Sequence, residues 1–321
     1  MNDDADHTMA VQAPPGAAGA AAERLRIWLE GERADPSAVD VFVEPDAPID
    51  AVKQLPAGDV GWVFAEQGQA EALAGTGTRV VPYTGRLDLL GGEVALAADV
   101  LVQTESYATA AYVAISVPTA FSVADEVDLS ALRIDAEVAL TEGRFPDHLT
   151  TPIVTVVDER ALLVPILPPL PHVARLLVRA DGEVLDGPLG AQTGPDLGRA
   201  APQRAGRDAV SLARFLGAAK VIRALRSRFG TEVEIADFGP QRRIPARERD
   251  DSVFVASAAG QAYVVDLATR RVSRVPSPIA ELVEHMFSTS RGAGFDASER
   301  SVLERLGLQR YDVPAPIGAA E

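Results

Sequence analysis

Residues 252–307 read SVFVASAAGQAYVVDLATRRVSRVPSPIAELVEHMFSTSRGAGFDASERSVLERLG, and this stretch decides the fold of the last part of the chain. Its first half contains three short apolar runs, which are typical of strands. The runs cover residues 253–256, 262–267 and 271–275, and a turn around Ala268-Thr269 joins the last two. We therefore predict a three-stranded antiparallel sheet.

Two helices are predicted after these strands. Ser277 can accept hydrogen bonds from free N–H groups, and Pro278 suits the first helical position. Asp296 with Glu299 three residues later predicts a capping box for the second helix, which should end near Gly307. The prediction is an α+β, winged-helix-like module, in which helices back the three-stranded sheet.

The order of these elements resembles the PqqD-like RiPP recognition element. The hairpin Tyr263-Val-Val-Asp-Leu-Ala-Thr-Arg-Arg-Val-Ser-Arg-Val275, followed at once by an apolar helix, carries the resemblance. Such elements are peptide-binding winged-helix domains of pathways that make ribosomally synthesised peptide natural products. A large acidic domain in front of such an element is similar to the recognition proteins of daptide-type pathways.

The resemblance implies a mode of binding. In the family, a leader peptide adds as a strand to the third strand of the sheet and places apolar side chains beside the last helix. The implied partners are the precursor leader peptide and peptide-modifying enzymes, and no cofactor is implied. Carried onto this chain, the peptide-binding residues are Arg270, Arg271, Val272, Ser273, Arg274, Val275, Val302, Leu303 and Leu306. The alternative is that the apolar residues are plain core and that the arginines protect an exposed sheet edge.

The front of the chain predicts an α/β domain with a small, partly parallel sheet and helices. Strands over 39–44, 60–65 and 79–83 alternate with short helices. Asp181-Gly182 favours a tight hairpin between 176–179 and 183–185. The other predicted elements are strands over 93–103, 117–121, 132–140, 153–157, 161–167 and 232–238, with 153–157 and 161–167 paired, and helices over 106–115 and 208–229.

With 321 residues, the chain is long enough for two compact units. We predict a disordered tail over 1–22, an acidic α/β domain over 23–186 and a Gly- and Pro-rich linker over 187–206. A connecting helix and strand over 207–251 lead to the winged-helix-like module over 252–313, and a tail over 314–321 follows.

Charge is divided unevenly along the chain. Residues 1–198 carry 11 Lys and Arg against 31 Asp and Glu, whereas residues 199–310 carry 19 against 13. An acidic block repels phosphate backbones and anionic lipid, while a basic back half can attract an acidic partner. The other interpretation is that the two halves attract each other.

Several kinds of chemistry are disfavoured by composition. The chain has no cysteine, and its four histidines are too scattered in sequence to place two on one helix face for a metal. No apolar run approaches the roughly 20 residues that cross a bilayer. The N-terminus lacks the basic and apolar regions of a signal peptide, so the expected location is cytoplasmic.

Two other functions compete with peptide binding. An enzyme with a nucleotide-type α/β site is one, although the sequence lacks glycine-rich phosphate-binding motifs. The adjacent pairs Asp147-His148 and Glu284-His285 are interpreted as surface residues, because neighbours in an element point apart. A winged-helix DNA-binding regulator is the other, but the cations of helix 208–229 spread around its whole circumference.

Overall fold

The computed structural model describes residues 17–32, 35, 37–55, 59–74, 77–96, 100–167, 175–190, 209–240, 252–288 and 296–309. Within these ranges the chain forms one nine-stranded mixed sheet and one four-stranded antiparallel sheet. The strands are β1 Val39–Val43, β2 Val60–Glu66, β3 Arg79–Arg86, β4 Gly92–Leu96, β5 Val100–Ser106, β6 Thr119–Ser122, β7 Val154–Val156, β8 Arg175–Val178, β9 Val184–Leu185, β10 Val233–Ile235, β11 Val253–Ala258, β12 Gln261–Asp266 and β13 Arg271–Val275. The helices are α1 Ala17–Glu30, α2 Asp50–Lys53, α3 Gln67–Leu73, α4 Glu126–Glu142, α5 Asp147–Thr150, α6 Glu159–Leu162, α7 Ala209–Phe229, α8 Ser277–Ser288 and α9 Ala297–Leu306, with a 3-10 turn at Tyr107–Tyr112.

The nine-stranded sheet has the order β7-β6-β5-β4-β3-β2-β1-β8-β9. Strands β8, β1, β2 and β3 run parallel, as do β5, β6 and β7. The antiparallel pairs β3–β4 and β4–β5 join the two parallel groups into one sheet. The prediction of a small, partly parallel sheet is therefore wrong, because strands of the predicted front unit and of the region beyond Tyr83 pair with each other.

The wrong prediction of the sheet is explained in part by stretches whose secondary structure or strand pairing differs from the prediction. The stretch 132–140, predicted as a strand, lies inside α4, where Leu132, Ala136 and Ala139 are buried with helical spacing. Asp125 caps this helix by accepting from two backbone N–H groups. The single strand predicted over 93–103 is the hairpin of β4 and β5. The predicted pairing of 153–157 with 161–167 is also wrong, since β7 pairs with β6 and α6 follows it.

The four-stranded sheet has the order β10-β11-β12-β13. The prediction of a three-stranded module is wrong because β10, which follows α7, pairs antiparallel with β11. The three predicted strands β11, β12 and β13 are present in that sheet. The capping box of Asp296 and Glu299 is confirmed, as is the end of α9 at Gly307, which has a φ of 71°. The hairpin around Asp181-Gly182 is confirmed by the pairing of β8 with β9.

Helix α7 lies between the two sheets. It packs against α4, α5 and α6 of the front part and against β10 and β11 of the back part. The core that it shares with them contains Phe215 and Leu216 of α7, Phe121 of β6 and Phe254 of β11. The opposite face of the four-stranded sheet is covered by α8 and α9 through a separate apolar cluster. The four-stranded sheet is thus packed on both faces.

A buried network of charges joins the acidic front to the basic back. The Lys220 ammonium of α7 lies 2.8 Å from Glu30, 3.3 Å from Glu32 and 3.1 Å from Glu159. Arg223, one turn further along α7, lies 2.5 Å from Glu159, which is fully buried. At these contacts the two oppositely charged halves of the chain attract each other, as one interpretation of the charge pattern predicts.

The network determines the protonation of its members. Burial raises the pKa of Glu30, but the charges of Lys220 and Arg26 outweigh burial and lower this pKa to about 2. Burial lowers the pKa of Lys220, whereas Glu30, Glu159 and Glu32 raise it, and the net direction is upward. Glu30 and Lys220 are therefore both charged at neutral pH.

We predict that Glu30→Gln lowers the free energy of unfolding at pH 7 by about 3 kcal/mol, because a carboxyl pKa of about 2 instead of the ordinary 4.5 stabilises the folded state by that order. This stabilisation is present above pH 4.5 and is lost as the pH falls towards 2. Urea unfolding at several pH values should show that the difference in free energy of unfolding between wild type and variant becomes smaller below pH 4.5. Glu142→Gln is the control, since Glu142 pairs with Arg144 where both side chains are exposed. A difference in free energy of unfolding that does not change with pH would contradict the prediction.

Candidate functional site

The candidate site is the outer edge of β13. Of the strands that end the two sheets in the described ranges, β7 and β10 have three residues, β9 has two and β13 has five. No strand from the described residues pairs with the outer side of β13. An edge strand presents unpaired N–H and C=O groups, and a second chain can bond to them. β13 is the longest such template in the described structure.

The turn before β12 determines which backbone groups face that edge. β11 and β12 are joined by Ala259 and Gly260, whose φ angles of 49° and 72° fit a two-residue hairpin turn. In such a hairpin the flanking pair, Ala258 and Gln261, is hydrogen-bonded, and bonded and non-bonded pairs then alternate along the strands. The N–H of Leu267 donates to the carbonyl of Ser252 at 2.8 Å, which follows the same alternation at the far end.

Every second residue of β12 therefore bonds to β13 instead of β11. The bonded pairs of β12 and β13 are Ala262–Val275, Val264–Ser273 and Asp266–Arg271. The two residues between them in β13, Val272 and Arg274, direct their N–H and C=O groups outward. A strand that adds to this edge bonds to Val272 and Arg274.

The three arginines predicted to bind a peptide have different surroundings. Arg270 in the turn before β13 lies 2.6 Å from the carboxylate of Glu32, which belongs to the buried charge network. Arg271 donates to the carbonyl of Leu306 at 3.4 Å and so joins β13 to the end of α9. The side chain of Arg274 is exposed on the outer strand. Two of the three arginines thus hold β13 in place, and the third is exposed.

The apolar residues predicted for the groove also differ. Val302 and Leu303 are only 3% and 0% exposed and belong to the core beneath α8 and α9, together with Val275. Leu306 is partly exposed beside Arg271, and Ser273 is partly exposed on β13. Val272 packs at the margin of the core on the α7 side. Leu306 and Val272 are therefore the apolar members of this set that are partly exposed beside β13, whereas Val302 and Leu303 are core residues.

A cavity of about 370 Å³ lies where β13 ends and α8 begins. Its walls come from Arg274, Val275, Pro276 and Ser277 on one side and from the β11–β12 turn on the other. The turn contributes Gly260, Gln261 and Ala262. The sequence did not predict Gly260, Gln261 and Ala262 as site residues, because the residues of a two-residue turn do not indicate which other part of the chain lies beside them.

A second polar cluster lies away from this edge. The hydroxyl of Tyr107 donates to Asp135 at 2.8 Å, and the Nε2 atom of His148 lies 3.4 Å from the same carboxylate without forming a hydrogen bond. The interpretation of His148 as a surface residue is wrong, because its side chain is 12% exposed and packs edge-on against Tyr107 and Phe121. Burial raises the pKa of Tyr107 far above its ordinary value. The cluster is part of the core around α4 and α5.

No group of three or more His, Asp or Glu side chains in the described residues is arranged to hold a metal ion. None of the helices in the described ranges is long and apolar enough to cross a membrane.

The chain has no detectable match among family models, curated proteins or solved structures.

We predict that proline distinguishes two neighbouring residues of β13. Ser273→Pro removes an N–H that bonds to β12 and should lower the free energy of unfolding by about 2 kcal/mol or more. Arg274→Pro removes an outward N–H and should cost less than about 1 kcal/mol, since proline is tolerated on the solvent side of an edge strand. Urea unfolding of both variants measures the difference. Equal losses would show that the bonding alternation assigned to β13 is wrong.

Proposed function

We propose that this chain is a non-catalytic binding protein that captures the leader of a ribosomally synthesised precursor peptide by strand addition along β13. It then presents the bound peptide to modifying enzymes. The observation that carries the proposal is the five-residue edge of β13, where Val272 and Arg274 direct their backbone groups outward. The resemblance of residues 252–307 to PqqD-like recognition elements supplies the class of peptide. The proposed location is the cytoplasm, where precursor peptides are synthesised.

The way β13 is held supports its use as a template. An added strand gains affinity from backbone hydrogen bonds only if the receiving strand is already ordered, since ordering it on binding would cost conformational entropy. Arg270 ties the start of β13 to Glu32 of the front domain, and Arg271 ties it to the end of α9. Both faces of the sheet are packed. These contacts hold β13 in position without a peptide and so reduce the entropy cost of adding a strand.

The surroundings of α7 argue against the DNA-binding alternative for this helix. Arg214 and Arg223 are 2% and 5% exposed, and Lys220 and Arg223 are paired with buried carboxylates. A helix that enters a DNA groove needs its cations on an exposed face. Lys220 and Arg223 instead stabilise the contact between the two halves of the chain.

The test compares two substitutions of one residue. Peptides are selected from a displayed library of random 12-residue sequences on the full chain, and the best binder is labelled for fluorescence polarisation. Arg274→Ala removes the side chain and keeps the outward N–H, whereas Arg274→Pro removes both. We expect Arg274→Pro to bind about tenfold more weakly than Arg274→Ala, because a lost backbone hydrogen bond costs about 1 kcal/mol and the proline ring also obstructs pairing.

Arg144→Gln is the control for this test. It removes an arginine that pairs with Glu142 where both side chains are exposed, and Arg144 lies outside the four-stranded sheet, so the affinity of this variant for the peptide should stay within about twofold of wild type. Thermal unfolding confirms that all three variants are folded. Equal affinities of Arg274→Pro and Arg274→Ala would reject strand addition at β13.

A further inference from the structure

The outer side of α4 carries an exposed row of apolar residues. Val127, Ala131, Ile134 and Val138 follow one another at intervals of four, three and four residues, so they lie along one side of the helix. Val127 and Ile134 are 66% and 60% exposed, and the other two residues are partly exposed. We call these four residues the α4 stripe.

The packing of α4 does not account for the α4 stripe. Leu132, Ala136 and Ala139 are buried in the core that α4 shares with α7. At about 100° per residue, these three residues lie on the side of the helix opposite the stripe. Three of the four stripe residues are β-branched, and Val and Ile have lower helix propensity than the long polar residues common at exposed positions. Neither the core nor helix formation therefore requires them.

Side-chain and backbone contacts hold both ends of α4. Asp125 accepts from two backbone N–H groups at the start of the helix, and Gly143, with a φ of 72°, ends it. Asp128 is buried and accepts from the hydroxyl of Ser106 and from two further backbone N–H groups. A partner that docks on α4 thus meets a helix that is already formed, which reduces the entropy cost of binding.

The surroundings of the α4 stripe are acidic. Residues 105–147 carry eight Asp and Glu against two Arg, and each of the two arginines already pairs with a glutamate of the same segment. Glu137 is exposed and flanks the stripe. A second copy of this chain would bring two acidic surfaces together, and anionic lipid would be repelled, whereas a cationic partner is attracted.

We propose that the outer side of α4 is a docking surface for a basic amphipathic helix of a partner protein. The partner helix lays its own apolar row on the α4 stripe, and its Lys or Arg residues lie beside Glu137 and the other acids that flank the stripe. From Val127 to Val138 the contact is about 17 Å long, which is three turns of helix. The surface does not include β13, so this inference does not rest on the proposed function.

The test uses a displayed library of 18-residue helical sequences, selected on the full chain. Leu occupies one side of each sequence at intervals of three and four residues, and the flanking positions are Lys or Glu at random. Wild type should enrich Lys at the flanking positions. In fluorescence polarisation the best binder should bind the double variant Val127→Gln/Ile134→Gln at least tenfold more weakly, because two apolar contacts are lost. Glu137→Lys should weaken binding about threefold, and added salt should reduce this difference.

Val210→Gln is the matched control, since Val210 is an exposed valine on another helix, α7. This variant should bind within about twofold of wild type. Arg274→Pro should also bind within about twofold, which separates docking on α4 from strand addition at β13. Gln is a good helix former, so the glutamine variants should unfold at temperatures no lower than wild type.

Five results would overturn this inference. They are the enrichment of no helical sequence; enrichment of Glu at the flanking positions; equal affinities of the double variant and Val210→Gln, as general attraction of a cation to an acidic protein would give; loss of binding in Arg274→Pro but not in the double variant; and self-association of wild type in sedimentation velocity that the double variant abolishes. The last result would make the α4 stripe an interface between copies of this chain.

Discussion

The structure depends on the ion pairs of Lys220, whose side chain is partly buried. A partly desolvated ammonium group is stable only when carboxylates lie beside it, and here they come from the end of α1, from the residues after α1 and from α6. Two separate segments of the front half, residues 30–32 and α6, must therefore meet α7 in one arrangement. Removing any of these acids leaves a partly buried positive charge with fewer partners, so the contact between the two halves depends on specific ion pairs as well as on apolar packing.

The same network reaches the candidate site through Glu32. This carboxylate accepts from Lys220 and also lies beside Arg270 in the turn that begins β13. The position of the edge strand is thus linked to the packing of α7 against the front sheet. The acidic character of the front half is in part a requirement of this link, and the basic character of the back half is its complement.

The sequence predicted those features that depend on neighbouring residues. The capping box at Asp296, the hairpin at Asp181-Gly182 and the helix now seen as α7 each follow from a local pattern. The nine-stranded sheet was missed because strand pairing between β3, β4 and β5 depends on contacts that short-range patterns do not encode. The strand β13 was identified, but the role of each arginine was not, since the partner of Arg270 lies near the start of the chain. Val302 and Leu303 show the same limit, because an apolar helical stripe looks alike whether it forms a groove or a core.

The packing of the four-stranded sheet on both faces has a consequence for protein engineering. Phe254, Ala256, Tyr263 and Val265 face α7, so a fragment that begins at residue 252 would lose the cover over half of its own sheet. The unit formed by β11, β12, β13, α8 and α9 therefore depends on α7 for the cover of one face of its sheet. A fusion protein that includes the β13 edge would also have to include α7 and the helices α4, α5 and α6 against which α7 packs.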